Sequence, residues 1–302
     1  FGLAEISRPT GTENRAPILL EKRHRLQLMW TLWRVREQNP ILVYQMGKVG
    51  SRTVVEALRA LDLNAPVIHL HTLNPEGLAR AIRKERHSPS PHLPRHLVAS
   101  QMLTQKMKSG RFPCRVITLT REPIGRAVSF AFEDWRKKAP DALSDGGELD
   151  TSQMATAVAE MLNSENGHSD PGLWFESELK GRLGIDVFST PYRFDQGFTI
   201  LPDNDTPALV IRLEDLDRSL RPALASFMDV PSNAIKMHQT NVGSEKWYAE
   251  SLRQVKQSFT LPEPVIQRIL GTRYVDHFYP AEKNKLHQRW SDACQRELKE
   301  DV

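Results

Sequence analysis

The segment Ile41 to Glu56 constrains the fold more than any other part of the chain. An uninterrupted apolar run, Ile41 to Tyr44, has the length and composition of a buried strand. A tight turn follows, containing Gly47, Lys48, Val49 and Gly50. Ser51, Arg52 and Thr53 then open an apolar-periodic helix through Val54, Val55, Leu58 and Leu61. A strand that passes through a short Gly/Lys loop into a helix N-terminus makes an anion site. Unpaired backbone N–H groups point at the ligand, and the helix dipole favours negative charge there. Lys48 adds a full charge, and Ser51 and Thr53 add hydroxyl donors. The expected ligand is a phosphate or a close relative.

Further strands repeat the pattern. Cys114 to Arg121 is apolar and ends on an arginine; Glu122-Pro123 then starts a helix, with proline suited to its first turn. Ser129 lies about two helical turns beyond Arg121. Ala208 to Leu216 is a strand running into a helix whose apolar positions continue at Leu220, Leu224 and Phe227. Strands near 41, 66, 115 and 208, alternating with helices, predict an α/β fold with a parallel sheet flanked by helices on both faces. Ligands in such sheets bind at the carboxyl ends of the strands, where Lys48, His69 and Arg121 can converge.

The chain has 302 residues, 39% of them hydrophobic, which suits one sizeable domain over 1–302. Within it, 1–17 reads as a polar lead-in and about 139–172 as an insertion that could carry acceptor-binding elements. Residues 18–38 read as a basic amphipathic helix packed on the domain, 87–94 as a proline-rich loop, and 280–300 as a charged surface helix. A net charge of +4 fits an anionic small ligand better than a nucleic acid, which calls for dense basic clusters. Two cysteines, Cys114 and Cys294, argue against a disulfide framework and suit a reduced compartment, so a cytoplasmic location is expected. No apolar run reaches the roughly 18 residues of a membrane span, and no membrane contact is expected. Beginning at Phe1, the numbering reads as starting inside a longer product, so a removed signal or anchor would not be visible. The pattern leaves oligomeric state open.

The loop does not fit the nucleoside-triphosphate form G-x-x-x-x-G-K-[ST], because Lys48 precedes Gly50. The order Lys48-Val-Gly50-Ser51-Arg52-Thr-Val-Val-Glu56 instead resembles the K-x-G-[ST]-R-x-x-x-E loop of heparan-type carbohydrate sulfotransferases. Arg121-Glu-Pro123, with Ser129, resembles their 3′-phosphate motif R-x-P-x-x-x-x-x-S, and Val210-Ile-Arg212-Leu-Glu214-Asp215-Leu216 resembles their downstream strand–helix unit. Asn241-Val-Gly243-Ser-Glu-Lys246-Trp247-Tyr248 is similar to a late loop that folds over the nucleotide, and Lys-Trp-Tyr together with Trp174 to Lys180 looks like bacterial capsular-polysaccharide or sulfotransferase-type proteins.

The resemblance implies a P-loop-type three-layer sandwich. It implies 3′-phosphoadenosine 5′-phosphosulfate (PAPS) as co-substrate, no metal, and a carbohydrate or other hydroxyl acceptor. Gly47, Lys48, Val49, Gly50, Ser51, Arg52 and Thr53 would hold the phosphosulfate, with Lys48 stabilising the transferring group. Arg121 and Ser129 would hold the 3′-phosphate, and Asn241, Gly243 and Lys246 would close over the nucleotide. For Arg212, Glu214 and Asp215 a structural role is expected, the two acids capping a helix or pairing with basic residues. Trp247 and Tyr248 could equally be core packing. Glu56 is the first candidate base, unless it pairs with Arg52 at i, i+4; His69 and His71 are its rivals. The two histidines are expected to face opposite ways on their strand, which would preclude a shared metal. Two other classes remain: a phosphotransferase using ATP, and a non-catalytic nucleotide- or polyanion-binding module.

Overall fold

The computed structural model describes residues 39–291 apart from 62, 86–92, 108–111, 166, 204 and 237–245. The lead-in, the helix over 18–38, most of the proline-rich loop, Asn241, Gly243, Cys294 and residues 292–300 of the helix over 280–300 lie outside the described residues.

The elements are β1 (Ile41–Tyr44), α1 (Ser51–Arg59), β2 (Val67–Leu70), α2 (Pro75–Glu85), α3 (Arg95–Met107), β3 (Arg115–Thr120), α4 (Pro123–Glu133) and α5 (Thr151–Asn163). A helical stretch over 172–183 follows, with a π-turn at Phe175–Lys180. Then come β4 (Phe198–Leu201), β5 (Ala208–Arg212), α6 (Leu216–Met228), α7 (Ala249–Ser258), α8 (Glu263–Leu270), α9 (Arg273–Phe278) and α10 (Lys283–Ser291).

The five strands form one sheet in the order β2-β1-β3-β5-β4. Neighbours are parallel except β4 with β5. Central strands β1 and β5 are wholly buried, which is why they read as unbroken apolar runs rather than alternating ones. The antiparallel edge strand β4 was not among the expected strands. Its signal is a hairpin: two apolar runs, Phe198 to Leu201 and Ala208 to Ile211, joined by the turn-rich Pro202 to Pro207.

The chain leaves β1 for β2 on one side and returns to place β3 on the other. The crevice between the carboxyl ends of β1 and β3 is therefore the topological switch point, where ligands of open α/β sheets bind. The residues that follow those two strand ends include Lys48 and Arg121.

Glu122 caps α4 by accepting from the N–H groups of Ile124 and Gly125 at 3.0 and 2.7 Å, and Pro123 takes the first helical position. Helix α5 packs on α4 and α7 through buried Met154, Val158 and Leu162. Helix α10 is less of a surface element than its charge suggests: Leu286 and Trp290 are buried beneath it. Glu178, in the π-turn, is buried and accepts from the Thr72 hydroxyl at 2.7 Å, from the N–H groups of Leu73 and Asn74 at 2.8 and 2.9 Å, and from the Tyr44 hydroxyl. This one carboxylate pins the connection from β2 to α2. Among the described residues no helix is long and apolar enough to cross a membrane.

Candidate functional site

The loop after β1 is held in an unusual backbone conformation. Lys48 has φ 71° and Gly50 φ 80°, both left-handed. For a lysine this costs about 1–3 kcal/mol, a strain that clusters at ligand clamps. Val49 between them is fully buried and anchors the loop in the core. A Cβ at Gly50 would also lie 2.5 Å from Leu213 Cδ1, so that side-chain end would have to move aside. Gly50 is the N-cap of α1 and supplies no side-chain cap to its first turn. At Gly47 a Cβ would meet nothing within 4 Å.

Arg121 brings the second strand tip to this loop. Its Nη1 donates to the carbonyl of Lys48 at 3.0 Å. Its own main chain is held at both ends by one side chain: the Tyr274 hydroxyl accepts from Arg121 N–H at 3.0 Å and donates to its carbonyl at 2.8 Å. Burial draws the Arg121 guanidinium below its ordinary range; Glu122 and Glu214 oppose this and Arg289 adds to it. Lys256 is likewise depressed, by burial and then by Arg121 and Arg289. Three cationic side chains from three elements thus share one field, with Glu122 and Glu214 beside them. Ser129 is half-buried two turns along α4.

Lys48 Nζ pairs with Glu133 Oε2 at 3.2 Å. The same oxygen accepts from the Tyr248 hydroxyl at 2.9 Å and lies 3.9 Å from Lys246 Nζ. Burial pulls the Lys48 ammonium below its usual range, and Glu133 offsets part of that. Burial alone would raise the Glu133 carboxyl, but Lys48, Tyr248 and Lys246 bring it below the ordinary value. Glu133 escaped the sequence reading. One signal could have found it: a carboxylate in the last turn of a helix sits against the dipole, so something else must hold it.

The remaining candidates divide. Ser51 is buried, with its Oγ 3.0 Å from His69 Nε2. Arg52 is exposed and Thr53 half-buried. Glu56 is half-buried on the turn after Arg52 and, among the described residues, forms no ion pair with it.

The histidines do not face opposite ways. Residues two apart on a strand share a face, and the His69 and His71 rings lie 4.8 Å apart, with His96 a further 5.0 Å from His71. Among the described residues, however, no group of three metal-ligating side chains is arranged to hold an ion. His71 Nδ1 lies 2.9 Å from the Gln45 carbonyl and 3.0 Å from its Oε1, so Nδ1 carries the proton. The Gln45 amide Nε2 lies 3.0 Å from His69 Nε2, so that nitrogen accepts and its lone pair is engaged. Burial drives all three imidazoles down, His69 to about 3 and His71 and His96 to about 4.

The Arg212 segment is structural. Arg212 pairs with Asp215 at 2.9 Å and Glu282 at 2.5 Å and donates to the Phe278 carbonyl at 2.8 Å. Asp215 also pairs with Arg218 at 2.8 Å. Neither acid caps α6 with its side chain. Glu214 accepts from the N–H of Glu122 at 2.9 Å and from the Tyr279 hydroxyl at 3.0 Å, which ties the end of β3 to α9 rather than to a basic residue. Trp247 and Tyr248 differ in role: Tyr248 is buried and Trp247 is 57% exposed.

The site thus joins two strand tips, a helix N-terminus and several cations. That geometry can hold an extended ligand bearing negative charge at two points. No curated protein and no solved structure matches the chain. Residues 150–280, under half of the chain, match a family model described as "putative capsular polysaccharide synthesis protein"; the match takes in Lys246 and Trp247 and leaves Lys48 and Arg121 outside it, so the similarity is to a polysaccharide-related family.

Proposed function

We propose that this chain is a PAPS-dependent sulfotransferase with a P-loop-type, single-domain fold, acting on a hydroxyl of a carbohydrate. The observation that carries the reading is the direct contact between the two predicted grips: Arg121 Nη1 on the Lys48 carbonyl at 3.0 Å, at the switch point of the sheet. The residues present suit the co-substrate. The uncapped first turn of α1 and the Lys48 ammonium match one anionic end, and Arg121, with Lys256 and Arg289 in its field, matches the other. The similarity to a polysaccharide-related family supports a carbohydrate acceptor.

PAPS, when bound, supplies an activated sulfuryl group. The protein's share is positioning and charge stabilisation, as in phosphoryl transfer. Lys48 stabilises charge on the reacting group, and Arg121 with Ser129 fixes the ribose end. Lys246, and Asn241 and Gly243 of the same segment, belong to the nucleotide-covering loop. A base takes the acceptor proton. Glu56, which has no ion-pair partner among the described residues, remains first for that task. The His69 lone pair is already engaged with Gln45, which leaves His71 as the better placed of the two imidazoles.

Thermal shifts with 3′-phosphoadenosine 5′-phosphate, ATP and GTP test the reading. Bisphosphate at a hundred times its Kd should add about 2.7 kcal/mol, and Arg121→Ala should remove most of that shift. A stronger response to ATP than to the bisphosphate would instead favour a phosphotransferase and sink the proposal.

A further inference from the structure

Lys48 is fixed at both ends. Its carbonyl accepts from Arg121 Nη1 at 3.0 Å, and its ammonium meets Glu133 Oε2 at 3.2 Å. That carboxylate is itself held. The Tyr248 hydroxyl donates to the same Oε2 at 2.9 Å, and the buried Tyr248 ring lies 5.7 Å from the ring of Phe132, the residue before Glu133. Lys246 Nζ lies 3.9 Å from that oxygen. One carboxylate thus takes a lysine from the loop after β1, and a lysine and a tyrosine from the segment that leads into α7.

Its place in the fold is unfavourable by itself. Glu133 is the last residue of α4, where no basic side chain lies in the final turn, so it stands against the helix dipole. Asp134 follows, and it pairs with Lys84 at 2.6 Å and Lys137 at 3.8 Å. Two consecutive acids therefore turn to different lysines, and only Glu133 turns to the loop. An ammonium has three N–H groups. Glu133 engages one of them through one oxygen, so two remain for an anion. The pair also bears on the charge of Lys48. Burial draws that ammonium down, Lys246 and Arg52 act the same way, and Glu133 opposes all three. His71, on β2, is the other titratable group that feels Lys48.

We infer that Glu133 is the positioning residue for Lys48: through one oxygen, steadied by Tyr248, it fixes where the ammonium sits and leaves two of its N–H groups for the transferring group. The inference rests on the proposed function in taking Lys48 as the residue that meets that group. Glu133 acts on the rate through Lys48 alone.

Glu133→Gln removes the charge yet keeps an oxygen for the Tyr248 hydroxyl. The first readout needs no nucleotide. The full chain is treated with acetic anhydride near pH 8, and labelling of Lys48 is read by peptide mass spectrometry against exposed Lys285. Lys48 should label about two- to fivefold faster in Glu133→Gln than in the parent, as expected for loss of a partly exposed ion pair. Tyr248→Phe should move it the same way by less. An unchanged ratio in Glu133→Gln overturns the inference. The second readout is transfer of radiolabelled sulfate from PAPS to water or to a glycan panel. In Glu133→Gln kcat should fall about ten- to a hundredfold, while the Kd of 3′-phosphoadenosine 5′-phosphate stays within about threefold of the parent. The alkaline limb of kcat should move to lower pH, because the ammonium loses its proton sooner without Glu133. An unchanged kcat, or a loss of bisphosphate affinity as large as the loss of rate, would also overturn the inference, the latter by marking a merely structural role. A parent that takes no bisphosphate and transfers no sulfate would refute the sulfotransferase reading, and the labelling ratio alone would then decide for or against Glu133.

Discussion

Gly50→Ala is the substitution whose cost follows most directly from the geometry. Gly50 has φ 80°, where an L-residue with a Cβ loses roughly 1–2 kcal/mol. The new Cβ would also sit 2.5 Å from Leu213 Cδ1, with Leu216 Cδ2 behind it at 3.4 Å. Leu213 would have to leave its rotamer, adding about 1–3 kcal/mol. Alanine restricts the unfolded chain and returns about 0.4–1 kcal/mol, so the net loss should be about 1–4.5 kcal/mol. For 302 residues the unfolding entropy corresponds to about 0.6 kcal/mol per degree, so Tm should fall by about 2–7 °C. Differential scanning calorimetry on Gly50→Ala, Leu213→Ala and the double variant resolves the two contributions. In the Leu213→Ala background only the dihedral part should remain. A Tm within 1 °C of the parent for Gly50→Ala, or full additivity in the cycle, would refute the steric argument.

Other outcomes follow from the same coordinates. Lys48→Ala should abolish sulfate transfer with modest loss of bisphosphate affinity, and Lys48→Gly should be equally inactive yet about 0.5–1 kcal/mol more stable than Lys48→Ala by denaturant titration, because glycine accepts the left-handed backbone at φ 71°. Glu178→Ala should cost about 3–5 kcal/mol in the same assay, since four buried donors lose their acceptor. The folded-state values of His69, His71 and His96 lie below that of an unfolded histidine at about 6.5, so their contribution to stability is complete above pH 6.5 and is lost as pH falls toward about 4. Tm measured from pH 7.5 to 4.5 should drop more steeply in the parent than in His96→Gln; parallel curves would refute this. Glu56→Gln should slow transfer by at least a hundredfold if Glu56 is the base, and full activity would move that role to His71.

The parts legible in the sequence are those where local pattern and tertiary use coincide. Apolar runs announced β1, β3 and β5 because strands buried on both faces need no alternation. The placement of Lys48 and Arg121 past neighbouring strand ends was legible because each apolar run passes directly into a helix start. Glu133, Gln45 and His96 were not, since each acquires its role only from a partner on another element: Glu133 from Lys48 and Tyr248, Gln45 from His69 and His71, His96 from His71. The orientation of the two histidines was misjudged although the period of a strand determines it. The Arg212 segment was understood in kind but not in its partners, because Glu282 comes from far along the chain.

The Tyr274 hydroxyl clasps both main-chain polar groups of Arg121, and the Tyr279 hydroxyl steadies Glu214 beside it. These residues lie more than 150 positions after the arginine they support. During synthesis the sheet can be complete on emergence of β5, well before the tyrosines leave the ribosome. A nascent chain halted there would own its lysine loop and its arginine but hold the latter loosely. The hold on Arg121 is thereby deferred until residues 274–279 have emerged, and a truncation before residue 273 should yield a folded sheet in which Arg121 is loosely held.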